Sequence, residues 1–245
     1  MQKSVLLIVT LLFLFSCKEN KESTQTKPET TSKNKVKKQV DITYAKGFSI
    51  DMYDGYKIIT LKEPWPDSDT VFKYALVEEK GKLQNDVEFD AVVNVPLKNI
   101  VVTSTTHIPS LELLDETKSL IGFPNLSYVS SEETRKRIDA GDIKELGKNE
   151  SINTEVLIDL NPDLVVTFAV EGNNKTVSTI QKTGIPVFYN SDWTEQSPLG
   201  KAEWIKFFGA LFNKEQKADS IFREIETNYI SAKEKAATAS VSPTV

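Results

Sequence analysis

The sequence predicts an α/β fold, a mostly parallel sheet flanked by helices, with an antiparallel β region before it and a long connecting helix at its C-terminus. Three observations predict it. Short β-branched and aromatic runs separated by turn residues fill the stretch before residue 98. After it, short apolar strands alternate with helical stretches, the grammar of βαβ units. The chain then closes on two consecutive helices whose apolar residues recur at helical spacing.

The first element in order is an export signal over residues 1–16. Lys3 supplies the positive start, an apolar run follows that only Thr10 interrupts, and the small Ser16 precedes Cys17, the one cysteine among 245 residues. The run is too short to span a bilayer, which needs about 20 apolar residues. It is followed at once by Lys18-Glu19-Asn20. The pattern resembles a bacterial lipoprotein lipobox, and that resemblance makes Cys17 the site of lipid attachment and places the mature chain on a membrane facing the periplasm or the cell surface. Residues 17–40 then read as a disordered tether, since this polar stretch has too little apolar surface to bury.

The β-rich region, 41–98, has strands expected at 47–50, 56–61, 71–77 and 91–95, with turns at Asp54-Gly55 and Lys80-Gly81. In the following lobe, 99–213, strands are expected at 100–103, 120–123, 164–168 and 186–189. Helices are expected at 111–114, 131–140, 155–160 and 174–182. The first closing helix carries Trp204, Phe207, Phe208, Leu211 and Phe212, and Asn213 stops it. The second, 214–238, is about 35 Å long at 1.5 Å per residue. Its last turns have little to bury, and 239–245 reads as the approach to a further strand.

In open α/β sheets ligands sit beyond the carboxyl ends of the strands. The candidate ligand-binding residues are therefore Thr105, Thr106 and His107 after the first strand, Asn125 and Tyr128 after the second, Phe168 and Glu171 after the third, and Trp193 after the last. Hydroxyl, amide and aromatic groups together suit a shallow surface for a polar ligand, the aromatic faces giving area and the polar groups orientation. Competing explanations exist for several of them: Thr105 and Thr106 as helix caps, His107 as a local hydrogen-bonding residue, Tyr128 and Trp193 as half-buried aromatics.

Composition narrows the chemistry. A net charge of -5 gives no reason to expect nucleic acid. One cysteine and one histidine leave no ligand set for structural zinc, and no intrinsic cofactor is expected. No Gly-x-Gly-x-x-Gly follows a predicted strand, and neither a phosphate-binding Gly-x-x-x-x-Gly-Lys loop nor a Gly-x-Ser-x-Gly elbow occurs, so an enzyme is not expected. An α/β enzyme without these motifs and a lipid-anchored interaction module remain the alternative readings.

The run Ile100-Val101-Val102-Thr103, then the stretch from Asn153-Thr154-Glu155 through Leu160-Asn161-Pro162-Asp163-Leu164-Val165-Val166, then Thr183-Gly184-Ile185-Pro186-Val187, resembles the N-terminal lobe of class III substrate-binding proteins. These are the receptors of ABC importers for iron chelates, such as siderophores and haem, and for cobalamin. The resemblance implies a metal chelate as transported ligand, an ABC permease as partner and a two-lobed architecture joined by the long helix. It also implies that Glu155 projects from the lobe tip and pairs with arginines of the permease. The competing explanation for Glu155 is a favourable acidic residue at a helix N-terminus. On this reading the second lobe is missing, and the chain is expected to be a truncated receptor that holds its ligand weakly.

Overall fold

The computed structural model describes residues 36–78, 81–83, 87–172 and 174–239. The expected signal, Cys17, the tether up to residue 35 and the expected strand approach at 240–245 lie outside the described residues.

The N-terminal sheet has five strands in the order β1 to β5: β1 (Lys38–Gln39), β2 (Phe48–Met52), β3 (Tyr56–Lys62), β4 (Val71–Glu78) and β5 (Ala91–Val95). The pairs from β1 to β4 are antiparallel, and the expected Asp54-Gly55 turn joins β2 to β3. The last pair, β4 with β5, is parallel. The connection between them is longer than a hairpin turn, which allows the chain to return before it pairs again. Strand β1 begins inside the expected tether, because an edge strand pairs through its backbone and needs no apolar side chains; Lys37 N–H donates to Met52 O at 2.8 Å and Val40 N–H to Ile50 O at 2.9 Å.

The second sheet is wholly parallel, in the order β12-β11-β6-β7-β8. Its strands are β6 (Ile100–Val102), β7 (Leu120–Phe123), β8 (Lys144–Glu145), β11 (Leu164–Thr167) and β12 (Val187–Tyr189). A small hairpin, β9 (Gly147–Lys148) with β10 (Ser151–Ile152), sits between β8 and the next helix. Every residue of β6, β11 and β12 is buried, which is why these strands read as nearly continuous apolar runs.

Helices α1 (Ile108–Leu113), α2 (Glu132–Asp139), α3 (Thr154–Leu160) and α4 (Lys175–Lys182) alternate with these strands. Their starts are chemically marked: the side chains of Ser131, Asn153 and Asn174 accept backbone N–H groups of the first turn of α2, α3 and α4. Before α1, a 3-10 turn at Thr105–His107 is capped by Ser104, not by Thr105 or Thr106.

The expected first closing helix is two helices, α5 (Pro198–Glu203) and α6 (Ile205–Leu211), separated at Trp204. Ser197 caps α5 and Pro198 occupies its first position, where a missing N–H costs nothing. All of α6 is buried. It crosses α7 (Glu215–Ala237) at Gly209, where a side-chain Cβ would lie 2.6 Å from the Cβ of Ala218. Beyond Phe222 no residue of α7 is buried, so the long helix leaves its own core as its sequence predicts.

One hydrophobic cluster runs through both sheets. Tyr74 of β4 stacks on Phe188 of β12 with ring centroids 4.0 Å apart, and its hydroxyl accepts the Tyr189 N–H at 3.0 Å. That bond covers the outer edge of β12. Phe48 of β2 packs on Trp204 at 4.4 Å. Charged groups stitch the same boundary. The buried Glu203 carboxylate accepts the N–H groups of Thr43, Tyr44 and Ala45, and Lys206 donates to it at 3.0 Å and to Asp41 O at 2.8 Å. Lys57, also buried, donates to Ala210 O at 3.1 Å and Asn213 Oδ1 at 2.6 Å and pairs with Glu215.

Candidate ligand-binding face

Strands β7 and β8 follow β6 on one side, whereas β11 and β12 lie on the other. The winding direction therefore reverses between β6 and β11, and the loops that leave these two strands diverge, opening a crevice at their carboxyl ends. At its floor the hydroxyls of Thr103 and Thr167 share a 2.9 Å hydrogen bond, and Thr103 N–H donates to Val166 O at 3.1 Å.

The residues expected to bind ligand distribute around this rim. Thr105 and Thr106 are exposed in the turn after β6, where Ser104 Oγ bonds Thr106 Oγ1 at 2.9 Å. Phe168, half-buried, and Glu171, exposed, follow β11 and line a cavity of about 480 Å³ together with Asn149, Glu150 and Lys175. Trp193 follows β12 and is 38% exposed. It forms part of two grooves, one of about 370 Å³ shared with Thr106 and one of about 400 Å³ shared with Trp65. Asn125 is held in the left-handed region at φ 53 by the bonds its N–H makes to Glu145 Oε1 and Gly147 O. Tyr128 is 71% exposed. Neither lines these three cavities.

His107 is placed differently from its expectation. Its side chain has no exposed area and packs 5.5 Å from the Phe208 ring, because the turn into α1 directs it toward α6 and away from solvent. Burial pulls its pKa down to about 4, with the nearby Asp192 carboxylate opposing the shift. A neutral, covered imidazole supports the rim from beneath and does not line it. Glu155 is exposed in the first turn of α3, where Asn153 Oδ1 accepts its N–H at 3.2 Å. Among the described residues no three His, Cys, Asp or Glu side chains are grouped to hold a metal ion.

Two contributors were not expected. Glu195 is buried and accepts the N–H groups of Lys46 and Gly47 and the Trp204 indole, at 2.8, 3.0 and 3.2 Å, fixing the Trp193 loop to the N-terminal sheet. Trp65, from the loop between β3 and β4, reaches the same rim. Its sequence signal is a tryptophan between Pro64 and Pro66, a large aromatic in a segment that belongs to no strand.

A family model described as Periplasmic binding protein matches residues 100–245, from the first strand of the parallel sheet onward. The chain belongs to the periplasmic binding protein family. This family consists of solute binders, not enzymes. An uncharacterized lipoprotein of Methanocaldococcus jannaschii is 29% identical over 143 residues, covering 56% of this chain and 34% of the relative. A second uncharacterized lipoprotein of the same organism is 23% identical over 239 residues, 91% of this chain and 58% of the relative, a span that takes in most of the N-terminal sheet. A solved siderophore binding protein, BauB, bound to two molecules of acinetobactin and ferric iron, shares the fold at a TM-score of 0.50 and 18% identity, over 75% of this chain and 55% of the other. This periplasmic binding protein thus spans about a third to three fifths of the length of these two curated relatives.

Proposed function

We propose that this periplasmic binding protein is the solute-binding component of an ABC importer for a metal chelate, an iron siderophore, haem or a cobalamin. A lipid on Cys17 holds it at the membrane, and Glu155 docks it on the permease. The observation that carries the reading is the rim itself: exposed hydroxyls of Thr105 and Thr106 and the aromatic faces of Phe168 and Trp193 ring the carboxyl ends of β6, β11 and β12. A chelate encloses its metal and presents both apolar and polar groups at its surface. Rigid aromatic faces supply contact area at low entropic cost, and the hydroxyls orient the ligand. The ferric siderophore bound by a protein of the same fold supports this ligand class, and the lipoprotein names of the archaeal relatives support the anchor. An exposed carboxylate at the start of α3 suits docking, because arginines opposite it would steer and register the complex.

Calorimetric titration of the purified protein with haemin, cyanocobalamin and ferrichrome tests the reading, and saturable binding of at least one is expected. Glu155→Arg should leave that binding unchanged while lowering chelate uptake by cells that depend on this protein at least tenfold. Heats indistinguishable from dilution for all three chelates would refute the assignment.

A further inference from the structure

The N-terminal sheet precedes the segment that the family model matches, yet it delivers Trp65 to the rim. We propose that Trp65 contacts the ligand and sets its specificity, selecting chelates built on a rigid macrocycle that carry no net negative charge. The inference rests on the chelate-binding reading above and adds to it which chelates are taken.

The setting of Trp65 is rigid. Prolines flank it, fixing the backbone φ of residues 64 and 66, and Glu63 holds a left-handed angle, φ 49, that is uncommon for a residue of its type. Its indole meets the rings of Tyr189 at 6.1 Å and Phe72 at 6.3 Å, both edge-on. It also lies over Gly172 so closely that a Cβ there would be 2.9 Å from the indole Cζ2. The absence of a side chain at residue 172 is what admits the ring.

Packing alone would be served by a covered ring. This one is only partly buried and forms a wall of the groove of about 400 Å³ that also contains the exposed Trp193. Gly172, on which the indole packs, directly follows Glu171, which lines the cavity of about 480 Å³. Trp65 thus lines the first groove and packs against the residue next to one that lines the second cavity. Two tryptophans bounding one groove favour a rigid macrocycle over a flexible aliphatic chelate, since contact area is gained without ordering the ligand.

Charge decides between macrocycles. Glu63 and Asp67 face the first groove against Lys46, and Glu150 and Glu171 face the second cavity against Lys175. The Glu195 carboxylate at the first groove already accepts three N–H groups. Carboxylates thus outnumber ammonium groups in both hollows, a field that repels a polyanionic chelate and tolerates a neutral macrocycle.

The test compares cyanocobalamin, haemin and a ferric tris-catecholate on the wild-type protein, Trp65→Ala and Trp65→Phe by calorimetry, with thermal unfolding of each variant. Cyanocobalamin is expected to bind most tightly and the tris-catecholate most weakly. Trp65→Ala should weaken cyanocobalamin at least tenfold, and Trp65→Phe should recover part of the loss with little change in melting temperature. Equal cyanocobalamin affinity in wild type and Trp65→Ala would overturn the inference while leaving the chelate-binding function standing. Tighter binding of the tris-catecholate than of cyanocobalamin would overturn the selection by ring and charge. An equal loss for all three ligands, with Trp65→Phe no better than Trp65→Ala, would reduce Trp65 to a structural residue. No binding of any ligand to wild type would refute the function and this inference together.

Discussion

Replacing Glu203 by alanine is expected to separate the N-terminal sheet energetically from the lobe beneath it. The carboxylate has no exposed surface and accepts the N–H of Thr43 at 2.9 Å, of Tyr44 at 2.7 Å and of Ala45 at 2.9 Å, besides the Lys206 ammonium at 3.0 Å. Each buried N–H left without an acceptor costs about 1–3 kcal/mol. Lys206 would keep Asp41 O and the half-exposed Asp219 at 3.5 Å but lose its buried counter-ion. The total, about 4–6 kcal/mol after partial rehydration, is a large share of the 5–15 kcal/mol that holds most domains together. At about 2–4 °C per kcal/mol for a chain of this size, the melting temperature should fall by about 10–20 °C. Glutamine is the informative second variant. Its oxygen can keep Tyr44 and Ala45, but its amide then points N–H groups at the Thr43 N–H and the Lys206 ammonium, so about half the loss should remain. Thermal unfolding followed by circular dichroism reads both variants, and amide exchange at residues 43–45 reads the local opening. A fall of less than about 3 °C in Glu203→Ala would refute the claim that this carboxylate joins the two sheets.

Two further outcomes follow from buried polar groups. The folded pKa of His107, about 4, lies below its ordinary value of 6.5. The stability this represents is therefore complete above pH 6.5 and is lost as the pH falls from there through 4, to a limit of about 3 kcal/mol. Urea unfolding across that range should show this slope in wild type and a flatter one in His107→Leu; parallel profiles would contradict it. Tyr74→Phe retains the stack on Phe188 but leaves the Tyr189 N–H without its acceptor, so a loss of about 1–3 kcal/mol is expected in the same assay. An unchanged midpoint would show that this hydrogen bond does not contribute to stability.

The sequence by itself determined the alternating strands and helices of the parallel sheet, because their signals are local. Strands buried on both faces are nearly continuous apolar runs, as 100–102 and 164–166 are, and caps such as Asn153 and Asn174 act within a few residues of themselves. The long α7 was legible for the same reason, since a thinning apolar stripe marks where a helix leaves its core. The loops that form the rim were legible too, because carboxyl ends of parallel strands are where crevices open.

Tertiary structure decided which side chains occupy that rim and what holds them there. His107 turned inward because α6 lies beneath its turn, and Trp65 reached the face because Gly172, far along the chain, leaves room for an indole. Glu203 and Lys57 look like surface charges in a polar sequence, yet each is buried by partners about 150 to 160 residues away. The parallel pairing of β5 and the pairing of Lys38–Gln39 were equally hidden. Hydrophobic periodicity records how one segment meets a core, whereas the burial of a charge or the framing of an aromatic depends on groups that only folding brings within hydrogen-bonding or contact distance.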